Sequence, residues 1–280
     1  MTSLKPSTTI STDNKALFDT SSFLDTTRPN LARIFDYLSG GGTHFEADRV
    51  AAHTMWSRFP PLKKWIQLRE AFVFEAIQVL YKQGLRQFLD LGSGMPNNDA
   101  VHRLVPKASF VYSDINPIAV SFGTSLFSDL DHIVYAYGDA RHLPSLLSRS
   151  EVTSTLDSNQ KTAIGLNNLL LFLQEEELSL AAQQLFEWAT VGSEIFVFLQ
   201  SQKDDIENVE LYHQFESQFQ QVGLPIRFNR LTSILKQFSP WRVKRLEPIP
   251  LFLGLPATFL DHADGIDVGM QYHALFLIKE

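Results

Sequence analysis

The sequence predicts an α/β protein: a doubly wound, seven-stranded, mostly parallel sheet with an antiparallel last strand, preceded by a helical N-terminal extension. Three observations carry this prediction. Apolar residues recur at helical spacing before Gln87, short apolar runs alternate with helical segments after Gly84, and three successive runs close on Asp90, Asp114 and Asp139.

Residues 1–27 are rich in Ser and Thr, carry Lys5 and Pro6, and lack the apolar core of a signal peptide, so they read as a flexible arm. Residues 28–280 read as one domain, with 28–84 as the extension and 85–280 as the sheet-bearing core. Leu31, Ile34, Phe35 and Leu38 form one helical stripe, residues 45–58 a second and 62–82 a third. Gly40, Gly41 and Gly42 end the first helix, Pro60 and Pro61 part the second from the third, and Gly84 closes the third.

Beyond Gly84 the apolar runs 87–91, 110–113 and 133–137 have the rhythm of βαβ units. Further strands are expected at 163–167, 195–199, 242–246 and 272–278, with helices at 175–188 and 206–222. A Pro-rich apolar stretch, 248–259, and an acidic segment from Asp261 to Asp267 separate the last two strands in place of a clean helix, which favours an antiparallel final strand. The apolar stretch packs in the core, walls a pocket or meets a second subunit in a homodimer.

The 280 residues include 24 Lys+Arg and 31 Asp+Glu, a net charge of −7, and the pI is about 5.6. An acidic chain without a basic run is ill suited to holding nucleic acid through its phosphates, which leaves small molecules or proteins as partners. The absence of Cys excludes disulfides, thiolate metal sites and a cysteine nucleophile, and fits a reducing compartment, with the cytoplasm as the expected location. No apolar run approaches the roughly 20 residues of a membrane-spanning helix. Apolar residues make up 44% of the chain, enough for a packed core.

The sharpest local signal is Gln87-Phe-Leu-Asp-Leu-Gly-Ser-Gly94, an apolar strand followed by an acidic residue and a glycine pair. Gly92 and Gly94 remove the side chains that would keep a ligand from the backbone, at the strand end where open α/β sheets bind nucleotides. A dinucleotide fingerprint would place a third glycine three positions beyond Gly94, where Asn97 stands, so a pyrophosphate cradle is poorly supported. The second strand ends at Asp114 in Tyr112-Ser-Asp-Ile-Asn-Pro117, where a carboxylate can accept hydrogen bonds from both ribose hydroxyls. The third ends in Gly138-Asp139-Ala140-Arg141. Any one of these aspartates could merely cap a helix; all three at one sheet edge point to a shared crevice.

These motifs resemble those of Rossmann-like class I methyltransferases, which use S-adenosylmethionine. More narrowly, residues 28–48, Arg-Pro-Asn-Leu-Ala-Arg-Ile-Phe-Asp-Tyr-Leu-Ser-Gly-Gly-Gly-Thr-His-Phe-Glu-Ala-Asp, resemble the N-terminal signature of the S-adenosyl methyltransferase family: Pro-x-x-Ala-Arg-x-Tyr-Asp-Tyr-Leu-Leu-Gly-Gly, then Asn-Phe-x-x-Asp. The resemblance continues through Arg86 to Pro96, Val101-His102 and the Asp139 turn, and covers roughly residues 28–280. It implies that Gly92, Ser93 and Gly94 pass beneath the methionine part of the cofactor and that Asp90 orients its amino-acid end. Asp114 would hold the ribose, with Asn116 in the same motif, and Asp139 with Ala140 would border the adenine. Tyr37 and Gly41 lie in the segment 35–41, which would form a lid or pocket wall.

Two departures qualify the match. The first tyrosine of the signature is Phe35 here, and the Leu-His-Phe after the fourth strand is Leu170-Leu171-Phe172. No histidine base stands there; Asn167 and Asn168 remain to face the methyl donor, and an amide can orient a substrate but cannot take its proton. Methyl transfer chiefly needs alignment, because the sulfonium is already activated. If a base acts, His44 on the lid is the first candidate and His102 the second. The other histidines lack metal-ligand spacing, and Asp261, Asp264 and Asp267 lack the order of a calcium loop, so no metal is expected. The expected function is methyl transfer to a small-molecule acceptor, against two rivals: a non-catalytic cofactor- or nucleotide-binding protein, and an NAD-linked oxidoreductase using the same crevice.

Overall fold

The computed structural model describes residues 25–59, 61–96, 101–167, 169–202, 213, 216, 217, 219, 220, 226, 227, 229–260 and 270–280. Asn97, Asn168, the 261–267 segment, most of the N-terminal arm and most of the expected 206–222 helix lie outside the described residues.

Three helices come first: α1 (Leu31–Leu38), α2 (Glu46–Arg58) and α3 (Pro61–Lys82). Pro61 opens α3, where a missing N–H costs nothing, and Gly84 follows it with φ +97°, a conformation open to glycine. The chain then runs β1 (Gln87–Leu91), β2 (Ser109–Asp114), α4 (Pro117–Leu126), β3 (Ile133–Tyr137), α5 (Leu143–Leu147), α6 (Ser150–Thr155) and β4 (Thr162–Gly165). It continues with α7 (Glu175–Trp188), β5 (Glu194–Gln202), α8 (Leu231–Gln237), β6 (Arg242–Pro248), α9 (Ile249–Phe252) and β7 (Met270–Ile278).

The seven strands lie in the order β3-β2-β1-β4-β5-β7-β6, and β7 alone runs against the others. The winding reverses between β1 and β4, which opens a crevice at their carboxyl ends. Because strand side chains alternate, the sheet presents two different faces. One is aromatic: Phe88, Phe110, Tyr112, Phe196, Phe198 and Phe276 pack against α3, whose Phe72 lies 6.0 Å from the rings of Phe198 and Phe276. The other is aliphatic: Leu89, Val111, Ile164, Ile195 and Val197 pack against Leu178, Ala182 and Leu185 of α7.

The strands fall where the apolar runs placed them, with one informative difference. β4 stops at Gly165, so Asn167 sits in the turn beyond it rather than on the strand. The 248–259 stretch folds as α9 and a 3-10 turn (Ala257–Leu260), burying Ile249, Pro250 and Phe252 and leaving Leu251 exposed. Phe252 packs 5.3 Å from Phe72, so much of this stretch is core.

Candidate functional site

The glycine turn after β1 is held from two neighbouring strands. Asp114 Oδ2 accepts the Gly94 N–H at 2.8 Å, and its Oδ1 accepts the Asn116 N–H at 2.8 Å. The Tyr135 hydroxyl, from β3, donates to the Gly94 carbonyl. Ser93 closes the turn onto β1 and β2: its Oγ donates to the Asp90 carbonyl at 2.9 Å, and its N–H donates to the Ser113 carbonyl at 2.9 Å. Gly92 and Gly94 have φ of +69° and +74°. A Cβ at Gly92 would come within 2.6 Å of Leu169, whereas one at Gly94 would meet none of the described residues within 4 Å. Among the described residues the turn is therefore packed on its Gly92 side and open above Gly94.

Burial raises the Asp114 carboxyl above its ordinary range, against the lowering effect of the amides it accepts. Its oxygens take the Gly94 and Asn116 amides, and a carboxylate's four or so acceptor sites leave room for a further donor.

Asp90 occupies the penultimate position of β1, paired with Gly165 of β4. A Cβ at Gly165 would lie 2.4 Å from Asp90 Oδ1, so this glycine makes room for the carboxylate. Burial pushes Asp90 up to about 6, against the Ser93 side chain, the Arg69 charge and the Asn167 amide. Asn167 anchors its Oδ1 on the Phe198 N–H at 2.9 Å, while its buried Nδ2 has no acceptor of good geometry.

At the end of β3, Asp139 receives the Arg141 Nε at 2.9 Å and Nη2 at 2.6 Å, and the Arg141 N–H at 2.9 Å. Burial alone would raise Asp139, but these hydrogen bonds outweigh it and hold the carboxyl below its usual range. Ala140 lies in the loop that this pair closes.

The helical extension is wired to the same edge. Asn30 caps α1 through the Ala32 and Arg33 amides, and its Oδ1 also receives Asn116 Nδ2 at 3.3 Å. Asn116 in turn caps α4 by accepting the Ile118 N–H. Arg33 and Asp48 form a fully buried ion pair, Nε to Oδ2 at 2.7 Å, and Asp48 also accepts the Asn30 and Phe45 amides. Asp36, buried in α1, accepts the Thr43 N–H at 2.7 Å and lies 3.1 Å from His44 Nδ1. Gly41 is needed here, since a Cβ would fall 2.0 Å from Asp36 Oδ1. Tyr37 packs edge-on against His44 at 4.8 Å, and its hydroxyl meets His53 Nε2 at 2.8 Å.

The structure thus brings Asp90, Gly92, Ser93, Gly94, Asp114 and Asn167 to one strand edge, with Asn116 joining that edge to the extension. Asp139 and Ala140 stand at the next strand end. Tyr37, Gly41 and His44 form a separate cluster within the extension. His102 is buried against Phe127, 5.2 Å between rings, with no partner for its Nδ1 among the described residues, and burial lowers its pKa; it packs as a core residue. Leu171, where the signature carries histidine, is buried in the aromatic core. Sequence reasoning missed Arg69, whose guanidinium lies 5.9 Å from the Phe35 ring. A cation amid the apolar stripe of α3 was the available signal. Among the described residues no cluster of side chains suits a metal ion, and no described helix is long and apolar enough to cross a membrane.

A glycine turn that is open among the described residues, beside a carboxylate with acceptor capacity to spare at the β2 end, suits a nucleoside ligand. A crystal structure of a candidate methyltransferase from Thermobifida fusca YX superposes with a TM-score of 0.77 at 24% identity, over 91% of this chain and 97% of that one. A DUF574 family protein from Streptomyces avermitilis gives 0.76 at 22%, over 91% and 99%. Geranyl diphosphate C-methyltransferase from Streptomyces coelicolor, solved with S-adenosylhomocysteine, gives 0.51 at 11%, over 74% and 81%. At these identities the likeness is one of fold. No curated protein is significantly similar in sequence. The profile of the S-adenosyl methyltransferase family matches residues 19–243, and the chain belongs to that family, with S-adenosylmethionine as its cofactor.

Proposed function

We propose that this protein transfers the methyl group of S-adenosylmethionine to a small-molecule acceptor. The observation that carries the reading is the Asp114–Gly94 clasp, which fixes a glycine turn, open among the described residues, beside a carboxylate with acceptor capacity to spare. The spare lone pairs of Asp114 hold the ribose hydroxyls, Gly94 and Ser93 lie under the sulfur side, and Ala140 with Asp139 borders the adenine. The sulfonium supplies an activated methyl group, whose bond to sulfur breaks as the acceptor's bond to carbon forms. The protein's share is alignment and exclusion of water.

Residues 28–84 act as the lid, tied to the β2 end by Asn30 and Asn116. Within it His44 is the candidate base. With Nδ1–H directed at Asp36, its Nε2 is left to accept a proton. The small-molecule acceptor is supported by the shared fold of an enzyme that methylates geranyl diphosphate.

Transfer of labelled methyl from S-adenosylmethionine to a panel of small oxygen, nitrogen and carbon nucleophiles tests the reading. Product from at least one acceptor supports it. Binding of the cofactor with no turnover across the panel, and turnover on a protein substrate, would contradict the small-molecule part.

A further inference from the structure

A cavity of about 310 Å³ borders the carboxyl end of β5, lined among the described residues by polar side chains throughout. Its walls follow from unequal strand lengths. β4 stops at Gly165, opposite Phe196, whereas β5 runs on to Gln202 with β7 along its other side. The edge that β4 leaves bare is taken up first by Asn167, whose Oδ1 accepts the Phe198 N–H. Asn229 follows, its carbonyl accepting the Gln202 N–H at 3.0 Å, with Arg230 paired to Gln202. These residues and Glu175, at the start of α7, wall the cavity one strand over from the β1–β4 crevice.

The charges of the lining point to an anion. Arg230 and Lys236 both face the cavity, and neither makes an ion pair or a side-chain hydrogen bond among the described residues. Other cations on this half of the sheet are committed: Lys244 to Glu194 at 2.6 Å, Arg242 to Glu280 and Arg245 to Glu247. The carboxylate in the described lining, Glu175, accepts Ser233 Oγ at 2.8 Å and Gln237 Nε2 at 3.3 Å. Two cations against one carboxylate give this lining a net +1 in a chain of net charge −7. Small-molecule pockets are lined mainly by apolar groups, with a few polar ones for orientation. A lining of amides, hydroxyls and two uncommitted cations suits instead a small, hydrogen-bonding anion.

We propose that this cavity anchors a methyl acceptor that carries a carboxylate or a phosphate. Arg230 and Lys236 hold the anionic group, and Gln202 and Asn229 hydrogen-bond the polar body between it and the crevice. The planar guanidinium of Arg230 can meet two oxygens at once, which makes it the residue that selects the anion. The assignment names the acceptor class for the methyl-transfer reading above and rests on it.

Labelled methyl transfer by the full chain to matched acceptors tests it: 4-hydroxybenzoate against its methyl ester, glycerol 3-phosphate against glycerol, and glycine against glycinamide. Calorimetric titration with S-adenosylhomocysteine follows the cofactor site separately. At least one anionic acceptor is expected to react, with kcat/KM about tenfold or more above its neutral partner. Arg230→Met is expected to raise KM for that acceptor by about 10- to 100-fold with kcat within about threefold, Arg230→Lys being intermediate and Lys236→Met also raising KM. These variants should keep S-adenosylhomocysteine affinity within about twofold, which also shows that they are folded. Equal use of paired acceptors, product from neutral members only, or a KM unmoved by Arg230→Met and Lys236→Met overturns the proposal while methyl transfer stands. Binding of S-adenosylhomocysteine with no product from any acceptor overturns it together with the small-molecule reading. If S-adenosylhomocysteine does not bind the wild type, the cofactor site falls and takes this assignment with it.

Discussion

The Asp114 carboxylate holds the Gly94 amide at 2.8 Å, so the residue expected to bind ribose also fixes the shape of the glycine turn. Asp114→Ala removes both contributions. We predict a loss of about 1.5–3 kcal/mol in S-adenosylmethionine affinity with the protein still folded, read by calorimetry. Unchanged affinity would remove Asp114 from the site.

The two glycines of the turn should fail in different ways. Both hold a left-handed backbone that costs a side-chain-bearing residue about 1–2 kcal/mol. At Gly92 a methyl group also strikes Leu169, adding about 1–3 kcal/mol, whereas at Gly94 it meets none of the described residues. Urea unfolding should therefore show Gly92→Ala less stable than Gly94→Ala, while Gly94→Ala loses cofactor affinity out of proportion to its stability. Equal stabilities would contradict the packing described for Gly92.

Asp90 sets a pH dependence whose sign follows from burial. Its ordinary value is 3.8 and its folded value about 6, so the folded protein holds the proton more tightly. The associated stability is fully present below pH 4 and is lost as pH rises through 6, leaving the ionised carboxylate at a cost of up to about 3 kcal/mol above pH 7. Asp90→Asn should gain stability relative to wild type between pH 5 and 7.5, while binding the cofactor more weakly. Urea melts that stay parallel across this range would contradict the assignment.

The Arg33–Asp48 pair should be intolerant of half-removal. Both side chains are fully buried, and Asp48 additionally accepts two backbone amides. Asp48→Asn should destabilise the protein by about 3–5 kcal/mol, because Arg33 is left charged and buried. A loss under 1 kcal/mol in thermal or urea unfolding would show that the extension does not depend on this joint.

The positions of the strands along the chain were legible because buried apolar runs give way to turn residues, as in Leu91-Gly92 and Tyr137-Gly138. The three strand-end aspartates were legible for the same reason. What the sequence hid was partnership. Nothing in its spacing says that Asp36 backs His44, that Asn116 meets Asn30, or that Asp139 is closed by Arg141, since these contacts depend on loop geometry. The short helices α5, α6 and α8 escaped notice because fewer than eight residues show little periodicity.

The central claim is that this strand edge holds S-adenosylmethionine. Parallel calorimetric titration of the full chain with S-adenosylmethionine, S-adenosylhomocysteine and NAD tests it most directly. The structure predicts saturable binding of the first two at one site per chain and none of NAD. A folded protein that binds NAD, or that binds neither S-adenosyl compound, would contradict it.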